Sequence, residues 1–360
     1  MTQALGFKDW ARRRGHQIVA AMAGRPASRS WPAFFEHGLG VPVRPLASPE
    51  MRYQRQRHLD VPGTVWFLIT RLGAFRRSAA NIAATVAETR PDLLVNFMEP
   101  TAGWYARSPR RAVPVLAVGH QFMLRHPQYP RPAGPSPVHW GFLQYVALTG
   151  RADARHALSY YEADPRGIGQ AGIVAPPLLR DEVLVMDGRA NDGHLLAYLL
   201  NAGYLPPLLD ALRRRRNLRA HVFCHRPGAP AHEEAAPGVV VHALDARLFL
   251  RLMDSAHAVL CSAGFESLSE AGWLGKPTLA VPIEGHREQT LNAADAAGVG
   301  LCTTSPHPDL DRLPSAPSPT QTSRFRSWVL QSDARLDASV ALAIQRHRMA
   351  HPQDRQWGHI

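Results

Sequence analysis

The chain has 360 residues, 45% of them hydrophobic, with 41 Lys and Arg against 29 Asp and Glu for a formal charge of +12. That length and apolar content can bury a large core and favour two domains over one. Cys224, Cys261 and Cys302 are too few and too scattered for a disulfide framework or a zinc motif, and the apolar run at 65–70 stops at Arg71, short of the roughly 18–20 residues of a membrane span. The first residues, with Lys8, Asp9 and arginines at 12–14, lack the apolar stretch and cleavage site of a signal peptide, so a cytoplasmic protein is expected. The positive charge is almost all arginine, the only lysines being Lys8 and Lys276, and the one dense run is 213–216. A solvated basic face explains it most simply, with attraction to an anionic substrate or membrane surface as the alternative. No nucleic acid partner is expected, because no binding motif and no interleaving of aromatic with basic residues is present.

In chain order the periodicities predict a helix at 3–14, a strand at 17–22, a helix at 66–89, strands at 93–97 and 113–118, a helix at 136–149 and a short strand at 156–160. A second series follows: strand 194–200, helix 205–216, strands 221–224 and 239–242, helix 246–255, strand 258–261, helix 265–274, strand 278–281 and helix 289–296. Two alternating series imply an α/β chain of two domains with mostly parallel sheets. The expected divisions are a first domain at 1–175, a linker at 176–192 entered through Pro176 and Pro177, a second domain at 193–304, a Pro- and Ser-rich connection at 305–322, a helical segment at 323–350 and a polar, frayed tail at 351–360.

One stretch carries chemistry. Residues 261–293 read CSAGFESLSEAGWLGKPTLAVPIEGHREQTLNA. The strand at 258–261 ends in Ser262-Ala263-Gly264, at the carboxyl edge where open α/β sheets bind ligands. Small side chains there let a ligand approach the backbone, and the next helix offers unpaired N–H groups and a positive dipole end to an anion such as a diphosphate. Glu270, six residues past Gly264, could accept hydrogen bonds from the two vicinal hydroxyls of a ribose. Gly275-Lys276-Pro277 ends the helix, and the strand beyond it brings Glu288 and Gln289 to the same edge, within reach of a sugar attached to the diphosphate. Each signal alone is weak, since Ser-Ala-Gly is an ordinary turn and a helical Glu is usually solvated. Their order over some thirty residues describes a nucleotide-sugar site.

The segment resembles the donor-binding signature of GT-B glycosyltransferases, the group that holds the UDP-sugar transferases and the MurG-like enzymes with their family 28-type carboxyl domain. It is most similar to a bacterial and archaeal subgroup whose pattern stands here as Ser262-Ala263-Gly264-Phe265, Ser269-Glu270-Ala271, Leu274-Gly275-Lys276-Pro277, Pro282, Glu288-Gln289 and Asn292-Ala293. The resemblance implies a GT-B fold of two Rossmann-like domains facing across a cleft, with the backbone of Ser262, Ala263, Gly264 and Phe265 on the donor diphosphate, Glu270 on the ribose, Glu288 and Gln289 on the sugar hydroxyls, and Asn292 within the same donor site. Weaker likeness covers residues 91–100, 114–121, 174–180 and 194–203.

A transferase of this kind needs a base for the acceptor hydroxyl. His120, just past a strand and with an intrinsic pKa near 6.5, is the first candidate and Glu99 the second. A histidine satisfying backbone groups in the interdomain cleft is the simpler reading of His120. Arg287 could help neutralise the leaving diphosphate without a metal. The implied function is transfer of a hexose-type sugar, from a UDP-sugar as expected donor, to an acceptor hydroxyl, with inversion and no metal or cofactor beyond the nucleotide-sugar co-substrate. The acceptor is unidentified, with a lipid-linked molecule at the inner membrane surface as one option, which would make the enzyme peripheral on the cytoplasmic membrane. A sugar-nucleotide 2-epimerase and a non-catalytic nucleotide-sugar-binding protein are the alternatives.

The sequence departs from these families at its start. It enters a helix at once, as Met1-Thr2-Gln3-Ala4-Leu5, where they place a strand and a loop ending in Gly-His. The expectation is therefore a first domain without its central strand, unpaired edges at 17–22 and 93–97, and a start assigned at an internal methionine.

Overall fold

The computed structural model describes residues 1–24, 31, 33–49, 53–54, 58–59, 61–131, 137–169, 171–199, 201–215, 217–226 and 228–352. Arg216 of the arginine run and residues 353–360 of the expected tail lie outside the described residues. The chain divides into two compact units: the first takes Met1–Arg52, Asp60–Leu178 and Leu330–Ile360, and the second Tyr53–Leu59 and Leu179–Val329.

The elements run α1 (Thr2–Arg13), β1 (Ala21–Gly24), α2 (Ala33–Leu39), β2 (Val43–Leu46), β3 (Tyr53–Gln54), β4 (His58–Leu59), α3 (Val61–Thr89), β5 (Leu94–Asn96), α4 (Pro100–Tyr105), β6 (Val115–Gly119), α5 (Pro137–Thr149), β7 (Ala154–Leu158) and β8 (Gly172–Ala175). They continue with α6 (Asp181–Leu184), β9 (His194–Leu199), α7 (Leu205–Arg213), β10 (Arg219–Cys224), β11 (His232–Ala236), β12 (Val239–His242), α8 (Ala246–Asp254), β13 (Ala258–Cys261), α9 (Phe265–Leu274), β14 (Thr278–Ala280), α10 (Arg287–Gly298), β15 (Thr303–Thr304), α11 (Pro319–Val329) and α12 (Ser332–Ala350).

In the first unit β5, β6, β7 and β8 form a parallel sheet in chain order, and α12 packs across β6, β7 and β8. Every residue of β6 is buried, as a strand covered on both faces requires. His156 of β7 bonds Ser339 of α12 at 2.8 Å. The amino-terminal helix ties to the same helix, with Trp10 Nε1 and Arg14 on Asp337 at 3.0 Å and 2.5 Å and Arg13 on Asp333 at 2.7 Å. β1 and β2 pair in parallel as a separate sheet. Among the described residues no ladder joins β1 to β5, although Met22 and Leu94 pack on one cluster with Leu46, Ile82 and Val115. The strand expected at 17–22 runs at 21–24 instead.

The second unit has one seven-stranded sheet in the order β11-β12-β10-β9-β13-β14-β15, parallel throughout except for β11. Leu195, Ala197 and Leu199 of β9, Val222 of β10, Leu260 of β13 and Leu279 of β14 form its core with Leu208 and Leu212 of α7. From β9 outward the chain first adds β10 and β12 on one side and then β13, β14 and β15 on the other, the doubly wound order of a nucleotide-binding sheet.

Several elements differ from expectation. β2 contains Pro45 and buries only its two ends, so neither propensity nor alternation marks it. β11 carries two glutamates, is only partly buried and runs antiparallel at the sheet edge. The segment 323–350, expected as one helical piece, is two helices: α11 belongs to the second unit and α12 to the first.

Candidate functional site

Strand order reverses between β9 and β13, so the loops that follow them flank one crevice at the carboxyl edge of the second sheet. Ser262 joins the two strand ends, its backbone N–H donating to Tyr198 O at 3.2 Å and its hydroxyl to the same oxygen at 3.4 Å. Ala263 is buried and left-handed, with φ 55°, a conformation that costs a residue with a Cβ of order 1 kcal/mol. Its carbonyl accepts from Asn292 Nδ2 at 3.4 Å. Asn292 is itself buried, so it acts on the loop rather than facing solvent.

Gly264 is the N-cap of α9, whose ten residues end at Gly275 in the left-handed region. A Cβ at Gly264 would meet nothing within 4 Å among the described residues. The helix therefore begins beside open space with no side chain of the cap residue on its first-turn N–H groups, and its dipole makes that space favourable for an anion.

Glu270 lies 3% exposed inside α9. Its Oε1 accepts from Arg180 Nη2 at 2.6 Å, while Arg180 Nη1 reaches Glu182 at 2.7 Å. Burial pushes the Glu270 carboxyl above the usual carboxylate range and the Arg180 charge acts against that. Glu270 Oε2 has no hydrogen-bond partner among the described residues. The sequence reading gave Glu270 both oxygens for ribose. Here one is already committed to Arg180.

After β14, Arg287, Glu288 and Gln289 open α10, with His286 as N-cap. Arg287 is half-buried, and its Nε and Nη2 are buried without a hydrogen-bond partner among the described residues, a cation with unused donors. Glu288 is half-buried in the first turn. Gln289 is buried, and its Oε1 accepts from Ile283 N at 2.9 Å, which leaves its amide NH2 to donate. Tyr204 links the loops after β9 and β14, its hydroxyl accepting from Glu284 N at 2.9 Å. Arg180 and Tyr204 were not singled out from the sequence. Arg180 is the last residue of the stretch 174–180 that bore a weaker family likeness, a signal that could have found it.

Glu99 and His120 belong to the first unit, His120 directly after β6 and Glu99 three residues past the end of β5. Glu99 is the N-cap of α4, with Oε1 accepting from Ser48 Oγ at 2.6 Å, Thr101 Oγ1 at 2.9 Å and Thr101 N at 3.1 Å. Its Oε2 has no partner among the described residues. Left-handed Met98, φ 58°, and buried Asn96, whose Oδ1 accepts from Glu99 N at 2.7 Å, set this turn.

His120 is 2% exposed. Nδ1 lies 2.7 Å from Leu158 O, so it carries the proton, and Nε2 faces the Tyr129 hydroxyl at 3.3 Å. Burial pushes its pKa down to about 4, so the ring is neutral at physiological pH. Among the described residues no group of three or more His, Cys, Asp or Glu is arranged to hold a metal ion. No helix among them is long and apolar enough to cross a membrane.

Solved structures share this fold over nearly the whole chain. The calicheamicin glycosyltransferase matches with a TM-score of 0.59 and 15% identity, covering 99% of this chain and 96% of its own. LpCGTa, solved in complex with UDP, matches at 0.56 and 16%, covering 98% and 92%. A spinosyn rhamnosyltransferase complexed with thymidine diphosphate matches at 0.52 and 15%, covering 97% and 93%. No curated protein matches in sequence. The family model described as glycosyl transferase family 1 matches residues 50–314, which span the first unit's sheet of four and the whole crevice of the second. The chain therefore belongs to glycosyl transferase family 1, with the α/β fold of GT-B glycosyltransferases, and is a glycosyltransferase.

Proposed function

We infer that the second unit holds a nucleotide-sugar donor, most simply a UDP-hexose, and that the sugar passes to an acceptor hydroxyl with inversion and without a metal. The carrying observation is the pairing, at the point where strand order reverses, of an open helix start at Gly264 with a buried carboxylate at Glu270 that keeps one oxygen without a hydrogen-bond partner among the described residues. In this reading the diphosphate sits on the first turn of α9 beside the Ser262–Phe265 backbone. Glu270 Oε2 takes a ribose hydroxyl, and Glu288 with the Gln289 amide takes the sugar. Asn292 serves by fixing the loop carbonyl of Ala263. UDP and thymidine diphosphate in the two solved relatives support a nucleoside diphosphate in this role.

For the base we place Glu99 ahead of His120. Glu99 keeps a carboxylate oxygen without a partner among the described residues, whereas both ring nitrogens of buried His120 are engaged. The acceptor oxygen attacks the anomeric carbon as its proton passes to the base. The bond from that carbon to the diphosphate oxygen breaks, and its electron pair leaves on the nucleoside diphosphate. The α9 dipole and the unused donors of Arg287 stabilise that departing charge.

A lipid-linked acceptor on an anionic membrane surface suits one face of α3. There Trp66 is 70% and Ile69 64% exposed, with Leu72 one turn on and Arg76 and Arg77 exposed alongside. Co-sedimentation with anionic and with neutral vesicles tests this, and equal absence from both pellets refutes it.

The function itself is tested by incubating the protein with a panel of nucleotide sugars, with and without acceptor extracts, and measuring nucleoside diphosphate release. Acceptor-dependent release is the expected result. Conversion of UDP-GlcNAc without acceptor would indicate epimerase chemistry, and binding without any turnover a non-catalytic protein.

A further inference from the structure

Arg180 stands near the start of the long segment of the second unit, immediately before α6. Its side chain is 7% exposed and holds two carboxylates at once, Glu270 with a side chain 4% exposed and Glu182 with one 48% exposed. The contact with Glu182 anchors the guanidinium from the solvent side, and the contact with Glu270 reaches into the interior. Such a pair is weak evidence of stabilisation, because taking both charges out of water costs about as much as their attraction returns. Here the arrangement also leaves Arg180 Nε buried without a hydrogen-bond partner among the described residues, which a packed apolar pair of similar size would avoid. What the ion pair does provide is geometry: a planar guanidinium fixed at one end by Glu182 sets the rotamer of Glu270 and commits Oε1 alone.

We propose that Arg180 is a positioning residue for donor recognition: its ion pair with Glu270 holds that carboxylate so that Oε2 is presented to a hydroxyl of the donor ribose. This rests on the reading of Glu270 as the ribose ligand. Arg180 has a second consequence for the same group. A carboxyl this deeply buried takes up a proton more readily than one in water, and the adjacent cation opposes that uptake. Arg180 thus keeps Glu270 an acceptor as well as keeping it in place.

The test is calorimetric binding of UDP, 2′-deoxy-UDP and 3′-deoxy-UDP to the full chain, at several pH values from about 6 to about 8.5, for the wild type, Glu270→Gln, Arg180→Gln and Arg180→Lys. The wild type should prefer UDP to at least one deoxy analogue by about tenfold or more, the size expected of a hydrogen bond to a charged group. Glu270→Gln and Arg180→Gln should both erase most of that preference. Arg180→Gln alone should show an affinity for UDP that rises with pH, as the unpaired carboxyl loses its proton. A merely structural ion pair would change melting temperature without moving either the preference or its pH profile. If Glu270→Gln keeps the wild-type preference, the ribose reading fails and the proposal with it. If Glu270→Gln loses the preference while a folded Arg180→Gln retains it at every pH, the ribose reading stands and the positioning role is overturned. If Arg180→Gln does not fold, Arg180→Lys decides, since a lysine lacks the planar two-sided fork: a reduced preference supports the role and an unchanged one overturns it.

Discussion

His221 and His242 lie side by side on the second sheet, Nδ1 of the first 2.9 Å from Nε2 of the second. One nitrogen must donate and the other accept, so the pair shares a single proton on that line. The His194 ring meets His221 edge-on at 5.0 Å, extending the row. Burial holds all three pKa values down, His221 to about 4, and their mutual repulsion when charged adds to the effect at His221.

This row makes the second unit sensitive to acid. An unfolded histidine titrates near 6.5, well above folded His221 at about 4. Between those values the unfolded chain binds protons that the folded one refuses, so stability is full above about pH 7 and falls as pH drops through this window. His120, at about 4, and His156, at about 3, act in the same direction in the first unit. Urea midpoints should fall steadily between about pH 7.5 and pH 5, and His221→Gln should flatten part of the slope. A midpoint independent of pH across that range would contradict the assignment.

Gly264→Ser separates fold from function at the start of α9. The added atoms enter space with no neighbour within 4 Å of the Cβ position, and serine is a favourable N-cap residue. The melting temperature should hold or rise slightly. The serine hydroxyl would then compete for the N–H groups assigned to the diphosphate, and UDP affinity should fall by about tenfold, the loss of one charge-assisted hydrogen bond. Unchanged affinity in the folded variant would place the diphosphate elsewhere.

Arg287→Gln removes a cation whose Nε and Nη2 are buried without hydrogen-bond partners among the described residues. Because the folded protein gains little from those donors, its thermal stability should change by less than about 0.5 kcal/mol. Binding of UDP should weaken by about 1.5–3 kcal/mol while binding of uridine is unaffected. An equal loss for uridine would show that Arg287 does not act on the diphosphate.

Glu99→Gln keeps the shape of the α4 cap and removes the proposed proton acceptor. Once an acceptor is known, kcat should fall by about 10²–10⁴ with little change in donor affinity. If His120→Asn shows that loss while Glu99→Gln does not, the order of the two candidates reverses.

How much of this was legible in the sequence depended on the kind of signal. The central strands of the second sheet read well because β13 and, after His194, β9 are apolar runs bounded by turns. The α9 boundaries read well because Gly264 precedes it and Gly275-Lys276-Pro277 closes it. β11 could not be read, since His232, Glu233 and Glu234 show no strand preference and pair only because β12 offers an edge. The contact between Arg180 and Glu270 spans ninety positions and leaves no local trace. Exposure also escaped the sequence: His120 and Glu99 both follow strands, yet the backbone carbonyl of Leu158 and the hydroxyl of Tyr129 surround the first while Glu99 retains an oxygen without a partner among the described residues.

The donor site is tested most directly by a crystal structure with UDP bound. The diphosphate should accept hydrogen bonds from the backbone at the start of α9, and a ribose hydroxyl should lie within hydrogen-bond distance of Glu270 Oε2 with the Arg180 contact intact. UDP bound away from the Ser262–Phe265 loop, or a ribose out of reach of Glu270, would contradict the assignment.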